Sequence, residues 1–149
     1  MVFLLISVLI FNLVAYLIPK QLSTDEMYTT SLFALTFQMY FDGILNQKYD
    51  LLGYFYTGSG FEALIPVIGL YPAGSIIFSN YYPYTKSFKI KFLYGLGWTL
   101  LSLVFEQASL LSGYFYYHGW KLWYSALCYP PIFFILAWNL SYIRKIKGT

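Results

Sequence analysis

Charge is the scarcest ingredient of this 149-residue chain. Asp, Glu, Lys and Arg together make up 10% of it, against roughly 25% in an ordinary soluble domain. So few charges cannot cover a water-facing surface, and 59% of the residues are hydrophobic. Lipid must therefore do part of the covering. Cysteine occurs once, at Cys128, which excludes an intrachain disulfide and any cysteine-based metal spacing. Cys128 reads as a small apolar packing residue. Histidine also occurs once, at His118. One histidine among scattered acids makes no ligand set, so neither a metal nor another cofactor is expected. Gly-rich phosphate loops, a nucleophile elbow and paired-histidine motifs are all missing. The net charge of +3 is small, and the basic residues sit between apolar runs rather than in a patch. Nucleic acid is therefore not an expected partner. The length suits a single domain, residues 1–149.

What the chain has in quantity is apolar runs. A bilayer-crossing helix needs about 20 mostly apolar residues, and five stretches approach that: Val2 to Ile18, Met27 to Leu45, Phe61 to Phe78, Phe92 to Leu111 and Leu122 to Tyr142. Their length and lack of strict alternation argue against strands. The predicted fold is all-α, an integral membrane bundle of five transmembrane helices. Ser23, Thr24, Asp25 and Glu26 open the second span with side chains that satisfy free backbone N–H groups. The first span lacks a basic leader and a small-residue cleavage site, so it reads as retained rather than as a signal peptide. Aromatic residues make up 23% of the chain, with Tyr and Trp suited to the membrane–water boundary.

The basic residues set the orientation. With the N-terminus outside and the C-terminus inside, Lys20, Lys86, Lys89, Lys91, Arg144, Lys145 and Lys147 all fall on the inner side. Only Lys48 and Lys121 fall outside. That asymmetry is the positive-inside pattern. The chief rival is a four-span arrangement with the second span lying in the interface. Asn139-Leu140-Ser141 matches the glycosylation pattern, but this topology places it at the inner boundary.

Two segments repeat. Gly53-Tyr54-Phe55-Tyr56 follows span two, and Gly113-Tyr114-Phe115-Tyr116 follows span four. Each preceding span carries an acid near its outer end, Asp42 or Glu106. Each following span carries a Tyr-Pro, Tyr71-Pro72 or Tyr129-Pro130. Spans two–three and four–five thus read as two parallel copies of one helical hairpin. Coincidence in a Tyr- and Phe-rich chain is the competing explanation. Pro66, Pro72, Pro130 and Pro131 are expected to bend spans three and five.

Span four places Gly95, Thr99, Ser102, Glu106 and Ser109 at spacings of four and three, on one helix face. Span two offers Ser31, Gln38 and Asp42 in the corresponding register. Facing each other, the two spans would form a polar seam ending in two carboxylates near the outer surface. An ionisable group within a span is costly and is by default a functional candidate. Two converging carboxylates would favour a neutral acid beside a charged base, the pairing that proton transfer uses. Glu106, Asp42 and His118 are therefore the catalytic candidates, with Gln38, Glu62, Ser102, Tyr114, Tyr116 and Trp120 as candidate ligand-binding residues. A structural latch at Glu106 and Asp42, and a plain surface role for His118, remain open beside that reading.

The stretch from Glu106 through Gly113-Tyr114-Phe115-Tyr116-Tyr117 and Gly119-Trp120-Lys121-Leu122-Trp123-Tyr124-Ser125-Ala126 resembles a family of small uncharacterised multi-pass membrane proteins of endospore-forming Gram-positive bacteria. So do Tyr28-Thr29-Thr30-Ser31-Leu32-Phe33-Ala34, Lys48-Tyr49-Asp50 and Gly69-Leu70-Tyr71-Pro72-Ala73. The resemblance implies a multi-pass protein of the bacterial cell membrane and brings no catalytic residues. A weaker similarity joins the acid, glycine and aromatic-loop pattern to membrane-embedded carotenoid cyclase and hydratase domains, without their full motif.

Three functions follow as expectations. The first is a non-enzymatic membrane component, either a subunit that binds a protein partner or a second copy of itself, or an envelope or sporulation factor. The second is a membrane enzyme acting on a lipid or isoprenoid. The third is a small transporter or channel subunit.

Overall fold

Five α-helices carry most of the chain in a computed structural model that describes residues 1–55 and 60–148. They are α1 (Val2–Leu17), α2 (Thr24–Asp42), α3 (Leu64–Tyr81), α4 (Phe88–Leu111) and α5 (Leu122–Lys147). Local chemistry sets their ends. α1 stops at Ile18, whose backbone is extended as a residue before proline prefers, and Lys20 Nζ donates to the freed carbonyls of Tyr16 and Ile18. α2 opens on a reciprocal cap in which the Ser23 N–H donates to Glu26 Oε2 at 3.0 Å. α5 runs past Tyr142 to Lys147, which puts Arg144, Lys145 and Lys147 in its last turn, where the helix dipole favours cations.

One expectation about the helices is corrected. Pro66 bends nothing, because it sits in the first turn of α3, where an N–H has no intrahelical partner. Pro72, Pro130 and Pro131 do lie inside their helices. Beyond Asp42 the chain also widens into a π-helical segment, Gly43–Lys48, which the apolar pattern gave no reason to expect.

Three segments, Phe61–Tyr81, Phe88–Leu111 and Leu122–Lys147, are long and apolar enough to cross a membrane. α1 is apolar but has 16 residues, about 24 Å at 1.5 Å per residue. α2 has the length but carries more polar residues.

Helices successive in sequence alternate in direction, which leaves the neighbours α1 and α3 parallel. At one end the start of α2 meets the end of α5 through Arg144 Nε–Glu26 Oε1 at 2.8 Å and Lys147 Nζ–Asp25 Oδ2 at 2.6 Å. The ends of α1 and α3 join there through Asn80, which accepts from the Gln21 N–H and donates to the Pro19 carbonyl. Tyr94 of α4 donates to the Phe78 carbonyl at 2.9 Å. This basic end also holds the Tyr82–Ser87 connection, since the Arg144 guanidinium lies 4.7 Å from the Tyr84 ring.

At the opposite end, the segments that carry the two repeated motifs pair as a ribbon. β1 (Leu52–Tyr54) runs antiparallel to β2 (Phe115–Tyr117), with Tyr54 opposite Phe115 and Gly53 opposite Tyr116. One step on, the Phe55 N–H donates to the Tyr114 carbonyl at 2.8 Å. Aromatic residues favour such pleated pairs. Tyr56, the last residue of the first repeated motif, lies outside the described residues.

Around the bundle the order is α1, α3, α2, α5, α4. Phe105 of α4 closes the ring, with centroids 5.7 Å from both Phe3 and Phe11 of α1. The expected seam of α2 directly against α4 is therefore corrected: α2 packs on α3 and α5, and α4 on α5. The reason is bulk. Phe33, Phe37 and Phe41 stack along α2 at 6.2 and 6.0 Å and turn inward, which holds the two helices apart. Close approach occurs instead between α1 and α3. A Cβ on Gly69 would lie 2.8 Å from Val8, so only glycine fits that crossing.

Two plugs of packed side chains remain at the ends of the ring. Phe78 at the basic end touches Tyr82, Tyr94, Trp98 and Phe133, with ring centroids 5.0–5.6 Å away. Leu4, Val67, Leu70, Tyr54 and Tyr114 pack beneath the ribbon. Outward, Leu93, Leu100, Val104 and Leu111 of α4 are exposed, the apolar surface that lipid would cover.

Candidate functional site

Between the two plugs lies a cavity of about 240 Å³, lined from all five helices and both strands. This is just under the roughly 300–1,000 Å³ typical of small-molecule sites. Its walls are mostly aromatic and aliphatic, with Phe33, Phe37, Leu101, Ile132 and Phe133 among them. Six of the nine predicted site residues line it: Gln38, Asp42, Ser102, Glu106, Tyr114 and Trp120.

Glu106 projects from the polar face of α4 and is buried, at 6% exposure. Its Oε1 accepts from Ser125 Oγ at 2.7 Å and from the Tyr117 hydroxyl. Its Oε2 accepts from the Tyr129 hydroxyl at 2.6 Å. Trp120 Nε1 donates to Ser125 Oγ at 2.8 Å, so the indole steadies the hydroxyl that holds the acid. Three O–H donors on one carboxylate make a charge-assisted network, which ties α4 to β2 and to α5. The neighbouring hydroxyls on the same face look after themselves. Thr99 donates to the Gly95 carbonyl, and Ser109 to the Phe105 carbonyl, each at 2.8 Å. The Tyr114 hydroxyl lies 2.7 Å from Ser109 Oγ.

Asp42 is served differently. Its Oδ1 accepts from Gln38 Nε2 at 2.8 Å, one turn back on α2. Its Oδ2 is buried and makes no hydrogen bond. The Tyr54 hydroxyl is a neighbour and sits 3.1 Å from that of Tyr71. The carboxyl lies where α2 passes into the π-helical segment, a departure that recurs at functional sites.

Three predicted residues lie elsewhere. Glu62 is exposed on the short 3₁₀ turn before α3. His118 pairs with Asp50 at 2.8 Å, both well exposed on the ribbon side, so it does not reach Glu106. Tyr116 points away from its neighbours because strand residues alternate. Phe115 lines the cavity and Tyr117 reaches Glu106, while the Tyr116 hydroxyl lies over Gly53, 2.5 Å from where a Cβ would stand.

Sequence reasoning missed Tyr117, Ser125 and Tyr129 around Glu106, and Tyr54 and Tyr71 beside Asp42. Their signal was present in another guise. Tyr71-Pro72 and Tyr129-Pro130 marked the repeat, and each tyrosine belongs to the surroundings of the acid on the preceding helix. Ser125, Tyr129, Ile132 and Leu136 recur at helical spacing, and all four line the cavity.

No basic side chain is among the described residues lining the cavity. Compared with known proteins, the chain matches no family model, no curated protein and no solved structure.

Proposed function

We propose that the chain is a five-span protein of the bacterial cell membrane, N-terminus outside and C-terminus in the cytoplasm. In this reading it is a non-enzymatic membrane component that holds a lipid-like ligand among its helices. The observation that carries the proposal is the cavity, with apolar walls from all five helices and polar groups gathered near the ribbon. That distribution fits a molecule with an apolar body and a polar head. At about 240 Å³ it suits a head and the first part of a chain, with the rest leaving between helices into lipid.

Two features support the five spans. α1 and α2 complete the ring with α3, α4 and α5, so they share the depth of the three helices that are long and apolar enough to cross. The alternation of direction also collects seven of the nine basic residues at one end. The duplication gains support from the ribbon. The two copies of the motif meet with Tyr54 opposite Phe115 and Phe55 bonded to Tyr114, as a local twofold between equivalent residues requires.

For topology, single cysteines at Lys48 and Lys86 in a Cys128→Ser background are expected to react oppositely with an impermeant reagent in intact cells. Equal labelling of the two sites sinks the five-span reading. For the ligand, mass spectrometry of the purified protein is expected to find a retained amphiphile. Ser102→Phe, which fills the cavity, should deplete it at least tenfold. Equal lipid content in the two proteins overturns the proposal.

One observation favours the enzyme reading as a second: Asp42 and Glu106 line the same cavity. In that case Glu106→Gln would leave the ligand bound and unconverted. A bound molecule identical in both proteins instead favours the non-enzymatic reading.

A further inference from the structure

We infer that the ligand's polar head is a hydrogen-bond donor without negative charge, seated on Asp42. This rests on the ligand-binding reading above and narrows it to a chemical class. Two carboxylic acids line the cavity and no Lys, Arg or His does so among the described residues. A phosphate, sulfate or carboxylate head would meet two acidic side chains and no cation to offset its charge in a poorly solvated space. Head groups of that kind are recognised elsewhere by Arg and Lys, and here both are missing.

The two acids are not equivalent. Glu106 already accepts three O–H bonds, from Tyr117, Ser125 and Tyr129. Asp42 has one donor in full hydrogen-bonding geometry, Gln38 on Oδ1, and its other polar neighbour, the Tyr54 hydroxyl, is shared with that of Tyr71. Asp42 Oδ2 is a buried acceptor with no hydrogen bond, an expensive state that a donor relieves. An O–H or N–H on the ligand supplies that donor. The tail then lies against Phe37 and Phe41 of α2, which share the cavity with Asp42. A long-chain or isoprenoid alcohol and a long-chain amine both satisfy this chemistry. Glu106 acts beside it as the fixed post that positions Ser125 and Tyr129.

Trp98 and Trp120 both line the cavity, so bromine on a ligand's chain quenches their fluorescence on binding. The test titrates the full-length protein in nanodiscs of a zwitterionic lipid with four bromo-terminated probes of one chain length. Their heads are an alcohol, an amine, a carboxylate and a phosphate. The expected result is saturable quenching by the alcohol, the amine or both, at least tenfold tighter than by either anion. Asp42→Leu should weaken the bound probe about tenfold or more. Asp42→Asn separates the two sources, because an alcohol can accept from the new amide while an ammonium cannot. Where Asp42→Leu fails to fold, the order of the four heads on the wild-type protein decides alone.

Anionic probes that bind as tightly as the others, and are blocked by Ser102→Phe, overturn the inference and leave the ligand-binding reading standing. Indifference of every probe to Asp42→Leu in a folded protein also overturns it. Saturable binding by no probe at all removes both.

Discussion

Truncating Glu106 to alanine is expected to cost roughly 3–5 kcal/mol of stability, read as a fall of about 10 °C or more in melting temperature. The carboxylate is the shared acceptor for Tyr117, Ser125 and Tyr129. Alanine removes the acceptor all three hydroxyls share, and each buried group left without a partner costs about 1–3 kcal/mol. Glu106→Gln should cost less than half as much. Its amide keeps one acceptor oxygen, and a hydroxyl can turn to accept from the new NH₂. Tyr129→Phe and Ser125→Ala remove one donor each, at about 1 kcal/mol apiece. The measurement is thermal melting of the detergent-solubilised protein by near-ultraviolet circular dichroism. Alanine and glutamine variants that melt with the wild type would show that the network does not hold α4 to α5.

The second large effect belongs to the basic end. Arg144→Ala leaves Glu26 at 6% side-chain exposure without its guanidinium partner. Breaking a fully buried pair costs about 3–5 kcal/mol. Arg144 itself is 27% exposed and the Ser23 N–H still serves Glu26, so the expectation is about 2–3 kcal/mol.

The pH dependence carries a sign. Burial pushes the Glu26 carboxyl up, but the Arg144 hydrogen bond, the Ser23 N–H and the Arg144 charge outweigh it and hold the group below its ordinary 4.5. A carboxyl held low contributes stability above its unfolded value, and loses it as pH falls through the folded one. Asp25, bonded to Lys147 and Ser23, is held at about 2, which extends the same window. Wild-type stability should therefore be flat near neutrality and decline below about pH 4.5. The gap to Arg144→Ala should close over that range. A gap that stays constant down to acid assigns the loss to packing of the Arg144 stem instead.

How much of this was legible in the sequence depends on the range of the physics. The Ser23–Glu26 cap spans three residues and was read directly, as was the shared face of Thr99, Ser102, Glu106 and Ser109. Helical spacing says which residues share a face. It does not say which helix that face will meet. So the polar faces of α2 and α4 were paired across a seam, where the stacked Phe33, Phe37 and Phe41 hold them apart around a cavity. Arg144 finds Glu26 across 118 positions, and no local pattern encodes that choice. Tyr116 was grouped with Tyr114 by resemblance of type. Strand alternation, invisible until the ribbon is known, turned it the other way. The π-helical widening after Asp42 leaves no compositional trace at all.

The ribbon also fixes a timetable for assembly. β1 and its partner residues in β2 lie about 60 positions apart. At roughly 5–20 residues per second, the ribosome needs on the order of 3–12 s to deliver the second strand after the first. Throughout that interval Leu52 and Tyr54, both buried in the finished protein, wait without their partner while α3 and α4 are made. The parts of the cavity wall that come from α1, α2 and α3 are thus synthesised before those from α4, β2 and α5. On the proposed ligand-binding reading, that order lets a ligand enter from the open side and be enclosed when the second strand arrives.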